Sequence, residues 1–566
     1  MRKNFTFILM GLIMLFVLSG KGIAQDTLVV EQGLNKISQA FAADTLAGVD
    51  LNTRVYKLQL GGTYLQDEQI ITSPGQPLNI VGETGDGKPP VIQPFVDQSG
   101  SSPGTLFLIK DNFTFKNAIV SMMDNLGSKQ SVVVHISADS INLELDNVYV
   151  ELCRFIVVRC DGNHGTIKVR DCKFFNNYQD QNPPNGRGID TRKTMVDTII
   201  YENNTFYNMR SAFTFNKPHR YVKINHNTMM NTTMINLTGD PGQGRWFGEF
   251  TNNLMVDVEL IIQPLQWLYG DELKFWSPAD SVIAIGDSIG TINGQNLFDI
   301  DSLDVETPWP TESLHLTVEN NNYHYTQPVV DYFEDNYGDS TDQYSVNWVF
   351  LNDYDLAYTS RHPDLYTVEQ ATNLEAGIVK RSYLPDYTED YLIPHLAQMG
   401  VQFYREPVPR SDWFWQADDE TLIDDNGLAV VEWPVPQDFS YTNETLKTAG
   451  NDGFPLGDLN WFPDKKAEWE SGSTTGVNSK EVAAASISVY PNPLSSGITT
   501  TVEFSNPEGR SHSFVIYSIT GSVVRTINDI RTESFTFNKS ELENGMYIYE
   551  LRSETNVLGK GKLIVK

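Results

Sequence analysis

Between Asn185 and His226 the chain carries Arg187, Arg192, Lys193, Arg210, Lys217, Arg220 and Lys223 against Asp190, Asp197 and Glu202, a local balance of +4. That balance is unusual in a 566-residue chain of net charge −31. Basic side chains at this density suit an anionic ligand. β-Elimination of a uronate needs its carboxylate neutralised by Ca²⁺ or Arg, a base for the C5 proton, and an acid for the leaving oxygen. Arg192, Lys193 and Arg220 are the candidates for that chemistry, with Arg187, Arg210 and His219 as candidates for holding the substrate. The alternative is that these are solvated side chains on the outside of a fold. A glycoside hydrolase would need two carboxylates facing one groove, and spacing alone does not place such a pair.

Other residues that bear on chemistry are less pointed. The acidic runs "DYFEDNYGDSTDQ" (331–343) and "DDETLIDDNG" (418–427) could hold calcium. Neither keeps EF-hand spacing, and solvated loops explain them as well. Cys153, Cys160 and Cys172 are odd in number and lack a companion His/Cys set, so they read as buried small hydrophobes, with a Cys153–Cys160 bridge as the alternative. All ten Trp lie from Trp246 onward, in phrases such as "QWLYGDELKFW" and "DWFWQADD". Exposed ones would stack on sugar faces, although core or loop-anchor duty serves as well.

The elements that must position these residues announce themselves by repetition. Six segments align on a central residue: "LELDNVYVE" at Asn147, "IKVRDCKFFN" at Cys172, "IIYENNTFYN" at Asn204, "VKINHNTMMN" at Asn227, "GEFTNNLMVD" at Asn253 and "LTVENNNYHY" at Asn321. The steps are about 23 to 32 residues, then a longer gap holding an insertion, and such a period indicates a solenoid. Strand-like alternation excludes helical repeats, and the absence of leucine-rich and propeller signatures leaves a parallel β-helix. In "VKINHN" the pattern points Val222, Ile224 and Asn227 inward and Lys223 and Asn225 outward. An interior tolerates Asn only where successive coils stack amides that satisfy one another. The asparagines therefore form an internal ladder at a tight turn, broken where Cys172 takes a rung.

Upstream, "GLNKISQAFAAD" places Leu34, Ile37 and Phe41 on one helical face, followed by "YKLQLGGTYLQDEQI" and "PLNIVGE". This arrangement resembles the entry to pectate-lyase-like β-helices. The resemblance implies a capping helix and a right-handed coil, and it identifies the fold better than an enzyme. "NKPHR" (216–220) matches only part of the Arg-x-Pro-x-x-Arg motif of pectate lyases, with Asn216 in place of the first Arg, and the polygalacturonase motifs are absent. From 327 to 465 no repeat continues. Helices are expected at "DLYTVEQATNLEAGIVK" and "TEDYLIPHLAQMG" and a strand at "GLAVVEWPV", all packed on the side or end of the solenoid.

The two ends set the destination. Arg2 and Lys3, then "FTFILMGLIMLFVLSG" and "GIAQ", read as a secretory signal removed on export. Its loss takes Arg2, Lys3 and Lys21 from 41 basic residues against 72 acidic ones, leaving −34. Such a field argues against nucleic acid or anionic membrane as partner, and no later apolar run is long enough to span a bilayer. From Ile487 the text becomes six or seven short alternating strands between Gly, Pro, Asn and Ser turns, the pattern of a small β-sandwich. "VYPNP", "IYSITGSVV", "NGMYIYEL" and "GKGKLIVK" resemble the type A C-terminal sorting domain of the Bacteroidetes type IX secretion system. That resemblance implies export through the outer membrane to the surface or medium, with the secretion machinery as partner.

The expected organisation is all-β. A signal spans 1–25, a right-handed parallel β-helix with an N-terminal capping helix 26–326, and an irregular lateral region 327–465. A linker follows over 466–485, then a sorting sandwich over 486–566. Two functions fit: a surface protein that binds or degrades an acidic polysaccharide, as a lyase in the second case, or a non-catalytic adhesin on the same scaffold.

Overall fold

The computed structural model describes residues 26–179, 185–191, 194–215, 219–232, 246–258, 315–337, 366–380 and 422–471, isolated positions between 350 and 363, and most of 488–565. The expected signal, Arg192, Lys193, "TEDYLIPHLAQMG" and the two quoted Trp phrases lie outside the described residues. The chain divides into a unit ending at Thr475 and a second from Gly476.

The larger unit is a parallel β-solenoid with three faces. Its first two faces form one 19-stranded sheet, and the third a 6-stranded sheet. On the first face, coil follows coil in parallel register, as in Leu143↔Ile167, Ile167↔Ile199 and Ile199↔Val222. Alternation drives this: Leu143, Ile167, Ile199 and Val222 fill the interior, while Lys116, Glu144 and Asp146 pair outside. Helix α1 (Lys36–Ala47) buries Ile37 and Phe41. Leu34, expected on the same helical face, instead lies in the short strand Gly33–Leu34 and is exposed. The solenoid also runs past 326, because Tyr366–Val368 pairs in parallel with Leu316–Val318. The helix expected there is replaced by strands Tyr366–Val368 and Ile378–Lys380. An open edge rewards pairing of Tyr, Thr and Val more than the local Glu and Ala favour helix. Helix α2 (Gln327–Tyr337) buries Val329 and Phe333 against the interior cluster. "GLAVVEWPV" is extended but joins only an isolated bridge, Ile423↔Ala429.

The turn between the first and second faces carries two rows of polar residues. The outer row is left-handed in seven successive coils: Asn117, Asn147, Asp171, Asn203, His226, Asn252 and Asn320 all have φ between 52° and 59°. Asn and Asp tolerate that conformation better than other side chains with a Cβ. The next residue points inward. There Asn204, Asn227, Asn253 and Asn321 form the ladder. Asn204 Nδ2 donates to Asn227 Oδ1 at 2.9 Å, Asn227 to Asn253 at 3.1 Å and Asn253 to Asn321 at 3.0 Å. Each backbone N–H also donates to the next Oδ1.

Two expectations need correction. Asn147 belongs to the outer row, where its Nδ2 donates to Asn117 Oδ1 at 3.0 Å. "DNV" holds one Asn where the coils at 203–204, 252–253 and 320–321 hold two, so sequence could not fix which row it joins. Cys172 interrupts the side-chain amide links, which run from Asn204 to Asn321, but not the backbone ones. Its N–H donates to Asn204 Oδ1 at 2.9 Å, and its Sγ accepts from Val148 N at 3.4 Å. Asn225 points outward as expected, but it is buried against Glu202, Thr251 and Asn252, and its neighbours His226 and Asn252 bond to later chain.

That later chain is the lateral region. Phe439, Tyr441, Leu446 and Leu456 form a second core with Tyr149, Phe175, Tyr207 and Met230 on the outside of the second face. Phe439 meets Tyr207 at 5.0 Å and Trp461 at 5.2 Å between ring centroids. Helix α3 (Pro463–Glu470) occupies the first residues of the stretch expected as linker.

The smaller unit is antiparallel, with sheets of three and four strands enclosing Val502, Phe514, Ile516, Leu551 and Leu563. The sandwich expectation holds.

Candidate functional site on the third face

The strands of the third face do not alternate inside and outside. Each has a bend: its second and third residues fill the interior, and its first and fourth face out. Val133–Val134, Val157–Val158 and Ala212–Phe213 join the interior cluster, whereas Val132 and Ile156 do not. Across the bend Arg187 Nη1 pairs with Asp190 Oδ2 at 2.7 Å, and the Ser211 and Thr214 hydroxyls meet at 3.2 Å. At the bend itself a Cβ on Gly188 would stand 2.1 Å from Ala212 O, so only glycine fits.

One outward row is thus Leu108, His135, Arg159, Asp190 and Thr214, in direct register. Within it Asp161 Oδ2 accepts from His135 Nε2 at 2.8 Å and from Arg159 at 2.6 Å. Burial pushes the Asp161 carboxyl up, but the Arg159 and His135 bonds prevail and hold it below its ordinary range.

The entrance to these strands carries a basic residue on four successive coils: Lys129, Arg154, Arg187 and Arg210. The coils are stitched there by Arg154 N to Gln130 O, Arg187 N to Phe155 O and Arg210 N to Gly186 O, at 2.9–3.0 Å. Aromatic rings lie among the charges. Lys129 Nζ is 4.1 Å from the Tyr178 ring centroid, and Arg187 Cζ is 5.4 Å from that of Phe155. Arg154 is exposed and the other three are half-buried. Sequence reasoning named Arg187 and Arg210 and missed Lys129 and Arg154. The signal was present, because these basic residues recur at about the same intervals as the asparagine ladder, and only reading charge against coil period exposes it.

The other candidates separate. Arg220 is exposed at the start of the first-face strand His219–Asn225. His219, next to it, is fully buried, accepts from Val196 N at Nδ1 (3.1 Å) and meets Thr191 Oγ1 at Nε2 (3.2 Å). Burial outweighs the Val196 bond and pushes its pKa down to about 3, so the ring is a neutral core group. Lys223 pairs with Glu202 at 2.7 Å on the first face.

The two carboxylates on the third face, Asp161 and Asp190, are each held by an arginine. The arrangement offers charge and stacking for an anion. Among the described residues no group of three or more His, Cys, Asp or Glu is placed to hold a metal. Asp424, in the second acidic run, instead accepts from Asn426 N and Leu428 N in its own turn.

Comparison with known proteins adds the smaller unit's identity. No curated protein matches the chain. Residues 488–566 match the family described as secretion system C-terminal sorting domain. No helix among the described residues is long and apolar enough to cross a membrane. Residues 488–566 are therefore a type IX secretion sorting domain, and the β-solenoid it follows is cargo destined for the cell surface or the extracellular space.

Proposed function

We propose that the solenoid binds an extended acidic polysaccharide along the entrance of its third face. The observation behind this reading is the placement of Lys129, Arg154, Arg187 and Arg210 on consecutive coils beside Phe155 and Tyr178. Coils repeat at about 4.8 Å, so the four residues span about 14 Å along the solenoid axis, Arg154 exposed and Arg187 already paired with Asp190. Guanidinium groups bind carboxylate or sulfate in bidentate fashion, and rings offer faces to sugars.

The test is affinity electrophoresis on pectate, alginate and sulfated glycosaminoglycans, with and without Ca²⁺, while absorbance of unsaturated uronates is followed. Retardation on one of these polymers, lost by at least tenfold in an Arg154→Glu/Arg210→Glu variant of unchanged melting temperature, is expected. Equal retardation of parent and variant would overturn the reading. Absorbance growth with the parent would move it from binding to elimination.

A further inference from the structure

The last part of the larger unit, from Ala449 to Lys466, runs along the outer row of the first turn and touches one residue of each of five successive coils. Asn320 Nδ2 donates to Ala449 O, and Asn252 exchanges bonds with Asn451 at 2.8 and 2.9 Å. His226 meets Asp452 and Pro455, Asn460 Nδ2 donates to Asn203 O, and Lys466 Nζ pairs with Asp171 at 2.6 Å. The left-handed residues that turn the chain are thus also the track on which this strap lies.

His226 differs from the others on that track. It is fully buried and stands on a track whose other four strap contacts are three Asn and one Asp. Its Nδ1 is 3.1 Å from Pro455 O and its Nε2 is 2.9 Å from Asp452 Oδ2. A peptide carbonyl only accepts, and an ionised carboxylate only accepts. To satisfy both, the ring must carry two protons. Asp452 Oδ2 also accepts from Trp469 Nε1 at 3.1 Å. Burial pushes the Asp452 carboxyl up, but the His226 bond and charge, Phe454 N and Trp469 outweigh it and keep it below its ordinary range. Among the described residues Asp452 is the ionisable group bonded to the ring. Glu202 and Lys223 on the adjoining face are paired with each other, and Asp458 farther along the strap accepts from Thr205.

We infer that His226 and Asp452 form a proton-operated latch: an imidazolium–carboxylate pair that holds the strap against the coils and loosens it when the ring loses a proton. The strap is held while both ring nitrogens carry protons and loosens once one of them is lost. Loss of one charge-assisted hydrogen bond there corresponds to about tenfold or more in the opening equilibrium. The coils beneath keep their own ladder and do not open with it.

The experiment uses the full chain, ¹⁵N-labelled at histidine, with amide exchange of residues 451–457 measured from pH 5 to 9 as protection factors corrected for intrinsic rates. At neutral pH both nitrogens of His226 should be protonated, the resonance being assigned by its loss in His226→Asn. Protection of 451–457 should fall by about tenfold or more on the alkaline side, and His226→Asn, which installs the residue of neighbouring coils, should flatten that dependence. Asp452→Asn should lower protection at every pH while the interior strands stay protected. A His226 ring with one bare nitrogen at neutral pH, or the same alkaline opening in His226→Asn, would overturn the latch.

Discussion

At Asn227 a single amide closes five contacts: it donates to Asn253, Tyr201 O and Asn225 O, and it accepts from both the side chain and the backbone N–H of Asn204. Replacing it with leucine strips Asn204 N of its acceptor, leaves Asn204 Nδ2 only Val169 O, and leaves Asn253 Oδ1 only the backbone N–H of residue 227. Asn227→Leu is therefore expected to cost about 1–3 kcal/mol in denaturant titration, and a variant as stable as the parent would remove the ladder's energetic role. Glu151 tests the opposite case, a buried acid whose neutral form is favoured. Burial, only partly offset by the 2.7 Å bond from Tyr149, pushes its pKa up to about 7. The folded state then holds a proton that the unfolded chain releases near pH 4.5. Its contribution is fully present below about 4.5 and is lost as pH rises through 7. Glu151→Gln should abolish that loss, so the parent-minus-variant stability should fall between pH 4.5 and 8 by at most about 3 kcal/mol.

At the scale of elements, the lateral region adds a core outside the tube, and Phe439 stands between Phe175, Tyr207 and Trp461. Phe439→Ala should destabilise this layer by about 3–5 kcal/mol, read as faster amide exchange in 429–461 with the interior strands unchanged. Uniform acceleration of both would mean the layers unfold as one. How much of this was legible in the sequence follows from the physics of each part. The first face was readable because Val222 and Ile224 alternate with Lys223 and Asn225, and because stacked amides cannot be scattered at random in a core. The third face was not, since its strands bend and put residues one and four outward, which no period of two detects. The lateral core was also hidden: Phe175, Tyr207 and Met230 look like ordinary strand residues until something is seen to cover them. Of the proposed site, Arg187 and Arg210 were named from local charge density. Lys129 and Arg154 needed the coil period, and His219 misled because a core imidazole and a binding one look the same in sequence.

At the scale of the molecule, the two units divide charge as well as labour. Residues 488–566 hold eight basic and eight acidic residues, so the entire net charge of −31 resides in 1–487. Removing 488–566 should leave the solenoid folded, with an unchanged circular dichroism melt, while abolishing its appearance outside the cell; continued secretion of the truncated chain would contradict the role of the sorting domain. Because so acidic a body repels a polyanion everywhere else, binding should be confined to the line of basic residues on the third face and should reflect its length. The most direct measurement is calorimetric titration with acidic oligosaccharides of increasing length. Affinity should climb with each added sugar until the oligomer spans from Lys129 to Arg210, about 14 Å at about 4.8 Å per coil, and then level off. Affinity that is independent of length, or the absence of saturable binding at every length, would contradict the account.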